Sequence, residues 1–184
     1  MPGEERNILV GKVALFSVVG LALLFLTPNA GYRPYEILVG TAVLWIGFEL
    51  LFRNKDPAKP GRALKLGVFL MVFDWIVENA GAIMGLWTTH NSVFPVGAVP
   101  IEIMARTVIG GSAWAITLPK KPTKQFLALE VLLFGVYGAL GEYMLGLNGV
   151  MRYYGGWAPI HAFFGYVITW IILLALWYKV IRKN

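Results

Sequence analysis

The residues of this chain that could do chemistry are few and stand in unusual places. Asp74 and Glu78 lie one helical turn apart inside an apolar run. Glu102 and Arg106 are four residues apart inside another, Glu142 closes a third and His161 opens a fourth. An ionisable side chain at bilayer depth is costly, and such groups normally face the interior of a bundle and work there. A carboxyl that keeps its proton in apolar surroundings is a potential general acid. Arg106 is spaced to pair with Glu102, yet one cation neutralises only one or two of the acids around it. Trp75, Trp87 and Asn79 adjoin the acids, and an aromatic face stabilises a cation beside it. These three join Arg106, Glu142 and His161 as candidate substrate contacts. The chain has no cysteine and two histidines, His90 and His161. Disulfides, thiolate zinc sites and cysteine nucleophiles are excluded, and neither a metal nor another cofactor is expected.

The elements that must position these residues are membrane spans. Of 184 residues, 58% are hydrophobic and 14% charged, against about half and a quarter in a soluble domain. The apolar residues fall in six runs, 8–27, 35–53, 64–87, 100–118, 124–146 and 158–181. Each is close to the ~20 residues that cross a ~30 Å hydrocarbon core. The first reads as a helix and not as a signal peptide, because no small-x-small cleavage site follows it. The expected fold is all-α, one polytopic bundle of six transmembrane helices over residues 1–184. Of the 16 lysines and arginines, all but Arg33, Arg106 and Arg152 fall at the N-terminus, the second and fourth linkers and the C-terminus. That bias predicts a multi-pass cell-membrane protein with both termini in the cytoplasm. Basic residues flank the apolar runs and form no face of their own, so nucleic acid is not an expected partner. Glu49 is expected to pair with Arg53, Glu130 with Lys121 or Lys124, and most of the tryptophans to sit at the interfaces or face lipid.

By this topology Glu78, Glu102, Arg106, Glu142 and His161 share the outer half of the membrane. Three helix starts also read alike: Pro34-Tyr35-Glu36, Pro100-Ile101-Glu102 and Pro159-Ile160-His161, at spacings of 66 and 59 residues. They suggest three repeated hairpins, about 8–53, 64–118 and 124–181. Proline with an acid in the first turn is also a helix cap, and this local explanation stands beside the functional one. A cation is disfavoured at a helix N-terminus, so His161 is expected to be neutral there.

The stretch Asp74-Trp75-Ile76-Val77-Glu78, Gly85-Leu86-Trp87-Thr88, Val99-Pro100-Ile101-Glu102 resembles the lycopene cyclase domain and the related membrane carotenoid hydratases. The likeness covers about 35 residues, with a weaker echo from Glu142 to His161. Where the family pairs two acids, Glu102 is followed by Ile103. The resemblance implies a redox-neutral, acid-initiated reaction on an isoprenoid, as cyclase, hydratase or isomerase, with Glu102 as the acid and Glu78 and Asp74 as partner carboxylates. It also implies a lipophilic substrate, and a homo-oligomer or a second membrane subunit.

Two other functions fit the sequence. One is the substrate-binding subunit of a small-molecule uptake transporter, and the other a structural membrane protein whose polar cluster only packs. An isoprenoid enzyme needs a long apolar tunnel that reaches Glu102 and opens sideways to lipid, a transporter subunit needs a compact polar cavity open to the outside, and a scaffold needs all five ionisable groups paired and no cavity.

Overall fold

The computed structural model describes residues 1–30 and 33–183. Among them six long helices follow one another: α1 (Gly3–Ala30), α2 (Pro34–Phe48), α3 (Lys59–Ile83), α4 (Ile101–Thr117), α5 (Lys124–Leu147) and α6 (Pro159–Lys179). A π-helical turn, Glu49–Arg53, continues α2. The fold is all-helical apart from short ribbons in the connections. Five of the six helices are long and apolar enough to cross a membrane. The exception is α4, whose 17 residues span about 26 Å and carry Glu102 and Arg106. The outside of the bundle is apolar as well: Leu44, Leu51, Phe52 and Ile83 are 73–87% exposed. An apolar surface that broad is a lipid or partner surface, not a water-facing one.

The helices close into a ring, in the order α1, α2, α4, α3, α6, α5 and back to α1. The tightest seams are built on glycine, because helices approach closely only where no side chain intervenes. A Cβ on Gly67 of α3 would stand 2.4 Å from the carbonyl oxygen of Val108 in α4. One on Gly135 of α5 would meet Val167 and Phe163 of α6 within 3 Å. The α1–α5 seam is polar. Glu5 accepts from the backbone N–H and the hydroxyl of Thr123, both at 2.7 Å, so that α1 caps the start of α5. Lys12 pairs with Glu130, and the Ser17 and Tyr137 hydroxyls lie 2.8 Å apart. Asn148, which caps the end of α5, donates to the Leu23 carbonyl of α1 at 3.3 Å.

Two antiparallel ribbons cover one end of the ring. Strand β1 (Trp87–Thr89) pairs with β4 (Met151–Tyr153), joining the α3–α4 connection to the α5–α6 connection. Strands β2 (Pro95–Val96) and β3 (Val99–Pro100) form a hairpin whose first turn residue, Gly97, has φ 68°. That conformation suits glycine at this position of a two-residue turn.

Several sequence expectations need correction. The third apolar run was expected to stay helical to residue 87, but α3 ends at Ile83 and Gly85 turns the chain with φ 67°. Gly85 therefore does not continue the face of Asp74, Glu78 and Gly81. Glu130 pairs with Lys12, not with Lys121 or Lys124, and Trp114 also donates to it at 3.3 Å. Glu49 does accept from Arg53, at 3.2 Å. Trp114, Trp170 and Trp177 are 1–8% exposed and belong to the core, not to an interface.

Candidate functional site

The ring encloses a cavity of about 690 Å³, walled by residues of all six helices and roofed by Trp87 and Trp157 below the β1–β4 ribbon. Its wall runs from Leu15 to Leu24 on α1 and from Phe134 to Met144 on α5, some 13–15 Å along the axis at 1.5 Å per residue. The volume lies inside the range of small-molecule sites, about 300–1,000 Å³. Leu, Phe, Trp and Gly make most of the lining, and Leu21, Leu24, Leu140 and Ile168 line the cavity while being 41–58% exposed.

Four ionisable groups meet in this wall: Asp74 and Glu78 of α3, Arg106 of α4 and Glu142 of α5. Their placement follows from the helices. Asp74 and Glu78 are four residues apart, so both face inward from one side of α3. Gly81, one turn on, leaves room for the indole of Trp87, whose Cζ2 would lie 2.1 Å from a Cβ there. That space lets Trp87 Nε1 reach Glu78 Oε2 at 2.7 Å. Gly138 does the same for Tyr166, whose ring would stand 2.4 Å from an added Cβ. Glu142 Oε2 accepts from Tyr153 at 2.8 Å. Tyr153 lies on the ribbon, and burial, reinforced by the Glu142 carboxylate, pushes its hydroxyl well above the ordinary phenol range. It stays a donor at any physiological pH. Asp74 is less held, with Thr107 Oγ1 at 3.4 Å. Arg106 has neither a hydrogen bond nor an ion pair among the described residues.

Compared with protein families, with curated proteins and with solved structures, the chain finds no match in any of the three. Its site has to be judged on geometry alone.

That geometry divides the residues singled out in the sequence. Asp74, Glu78, Trp87, Arg106 and Glu142 come together at the cavity. Glu102 does not. Its carboxylate accepts from Ser92 Oγ at 2.6 Å and from the Val93 N–H at 2.8 Å, which fastens the loop before α4. His161 turns back as well: its Nδ1 accepts from the Ala158 N–H at 3.0 Å and its ring lies 5.2 Å from Trp157. Glu36 pairs with Arg33 at 2.9 Å. At all three matching helix starts, then, the ionisable residue serves its own loop. Trp75 donates to the Val96 carbonyl at 3.0 Å, and Asn79 Oδ1 accepts from the Ala98 N–H at 3.0 Å. Both hold the β2–β3 hairpin against α3 and neither lines the cavity.

The part of the site that sequence reasoning missed is aromatic. Phe16, Trp45, Trp114, Phe134 and Trp170 close the end of the cavity away from the ribbons. Phe134 stacks on Trp170 at 4.2 Å, and Phe16 meets Trp45 and Phe134 edge-on at 5.7 and 5.2 Å. Below this floor lies the Lys12–Glu130 pair, whose Lys12 ammonium is 5.7 Å from the Phe134 ring. Nothing in local spacing announces the floor, because its members lie on five different helices, 20–154 positions apart.

Proposed function

We propose that the protein is a membrane-embedded enzyme for an isoprenoid or similar polyene, working by proton transfer from a carboxyl and without change of redox state. The observation that carries this reading is the cavity itself: a largely apolar chamber with three carboxyls from two helices in one wall and aromatic rings at both ends. A compact polar chamber would favour a polar solute. A packing network would leave its ionisable groups paired with one another, whereas Asp74, Glu78, Glu142 and Arg106 form no ion pair among the described residues.

The acid belongs to the pair Asp74 and Glu78. Glu102, favoured by the family resemblance, is occupied by Ser92 and Val93. In the proposed step a carboxyl O–H bond breaks as a C–H bond forms on one carbon of an alkene. The cation left on the other carbon is stabilised by the carboxylates and by the faces of Trp87 and Trp157. It ends by losing a proton from an adjacent carbon to a carboxylate, or by taking up water and releasing a proton. The six helices are six membrane spans in this reading, α4 included, arranged as three hairpins with both termini in the cytoplasm and the ribbons outside.

The test is expression in a host that accumulates lycopene or another acyclic isoprenoid, followed by pigment analysis. A new isomer, cyclised or hydrated product is expected from the wild type, is lost in Asp74→Asn or Glu78→Gln, and is retained in Glu102→Gln. Unchanged pigments with every acyclic isoprenoid supplied would sink the proposal.

A further inference from the structure

We infer that Arg106 is the polar anchor of the cavity, and that the molecule it holds is an apolar chain ending in a neutral hydrogen-bond acceptor, a carbonyl oxygen before all others. This deepens the proposed function and rests on it for the nature of the chain. The guanidinium carries five N–H donors in a fixed fork. It lines the cavity, yet no hydrogen bond or ion pair engages it among the described residues. The fork is not sealed off: the buried side-chain donors without a partner among the described residues belong to Arg62, Trp170 and Trp177, so the Arg106 nitrogens open into accessible space at the cavity wall.

The polar neighbours do not fill the gap. Glu78 is taken by Trp87, Glu142 by Tyr153, and Asp74 leans on Thr107. Asp74 and Glu142 act on Arg106 through space without reaching it. The acceptor for the fork must therefore come from whatever occupies the cavity.

Charge decides its kind. Three carboxyls face one guanidinium, so the wall carries an excess of potential negative charge in a medium that screens little. An anionic head would meet that field, while a carbonyl oxygen accepts from the fork without bringing a second charge. Thr107, next in sequence to Arg106, touches Asp74. A carbonyl held at Arg106 would thus set the adjoining conjugated double bonds beside the Asp74–Glu78 pair.

The experiment uses the purified full chain in nanodiscs and follows quenching of tryptophan emission, since Trp45, Trp87, Trp114, Trp157 and Trp170 all border the cavity. Three C20 polyenes of the same skeleton serve as probes: all-trans-retinal (aldehyde), anhydroretinol (hydrocarbon) and retinoate (anion). Retinal is expected to bind tightest. Arg106→Met should weaken retinal by about tenfold or more, the usual worth of a hydrogen bond from a charged donor, and leave anhydroretinol unchanged. Arg106→Lys, which keeps the charge and loses the fork, should fall between, and it carries the test if the Met variant does not fold. Equal binding of retinal and anhydroretinol, indifferent to Arg106, overturns the inference and leaves the isoprenoid reading standing. Tightest binding of retinoate overturns the neutral acceptor. Failure of all three probes overturns the isoprenoid reading and the inference with it.

Discussion

Removing one partner of the Lys12–Glu130 pair should be the most damaging single change outside the cavity. Lys12 is 3% exposed and Glu130 fully buried, and the pair ties α1 to α5 under the aromatic floor. Glu130 has one further partner, Trp114, and Lys12 has only the faces of Phe126 and Phe134. Glu130→Leu leaves a buried ammonium without its ion-pair partner, with Glu49 acting on it only through space, and Lys12→Met leaves a carboxylate with one indole N–H. Breaking a buried pair from one side costs about 3–5 kcal/mol, whereas replacing both partners by apolar residues is close to neutral. At about 2–4 °C per kcal/mol for a chain of this length, each single variant should lower the melting temperature by about 6–20 °C. The double variant Lys12→Met/Glu130→Leu should recover most of that loss. Thermal unfolding in one detergent, followed by circular dichroism, gives the four corners of the cycle. Single variants that lose less than about 1 kcal/mol, the range of an exposed pair, would refute the reasoning. So would a double variant that loses the sum of the two.

Gly81→Ala should displace the Trp87 indole and break its bond to Glu78, costing about 1–3 kcal/mol by overpacking and altering the near-ultraviolet circular dichroism. Gly47→Ala, where an added Cβ meets nothing within 4 Å, should be neutral or slightly stabilising as the better helix former. Asp56, in the α2–α3 linker, accepts from the Ala58 N–H and from Arg62, and these hold its carboxyl below the ordinary range. A carboxyl depressed in the folded state adds stability above its unfolded value near 3.9 and loses it as pH falls through the folded value. The protection factor of the Ala58 amide, its exchange rate relative to the free chain at the same pH, should therefore be constant at neutral pH and fall as pH drops below about 3.9 and through the lower folded value, and Asp56→Asn should abolish that dependence. Because the chain has no cysteine, single cysteines at Lys55, Lys121 and Arg152 report sidedness directly. In intact cells a membrane-impermeant maleimide should label only the last; labelling of the first two there would reverse the proposed orientation.

How much of this was legible in the sequence depends on whether the deciding interaction was local. Helix positions came through, because hydropathy and the prolines at 34, 100 and 159 act over a few residues. The shared face of Asp74 and Glu78 is local in the same way, whereas of the five groups expected to converge by depth only Glu78, Arg106 and Glu142 line the cavity. The third position of each helix start was misleading. Glu102 and His161 look functional in a list of ionisable residues, and only the fold shows that Ser92, Val93 and the Ala158 N–H take them up. Lys12 was hidden by its place at the edge of an apolar run, where a lysine ordinarily marks the membrane boundary. Its partner lies 118 residues away, and no window of sequence holds both. The β1–β4 ribbon pairs two loops in the same way, across a separation that periodicity does not record.

The order of the helices round the ring has a mechanical consequence. Side-chain bonds at six residue pairs tie α1 to α5 and its two cap residues, and α2 leans on α4, but among the described residues no side-chain hydrogen bond joins α1 to α2. The two are neighbours chiefly because the chain connects them, with Phe16 against Trp45 as a ring contact. The ring is thus two arcs, α2–α4–α3 and α6–α5–α1, stitched on one side by β1–β4 and by Trp87 against Trp157. Among the described residues neither seam between the arcs, α1–α2 or α3–α6, carries a side-chain hydrogen bond, so the arcs are held to each other by the ribbon at one end and by the aromatic floor, with Trp114 donating to Glu130, at the other.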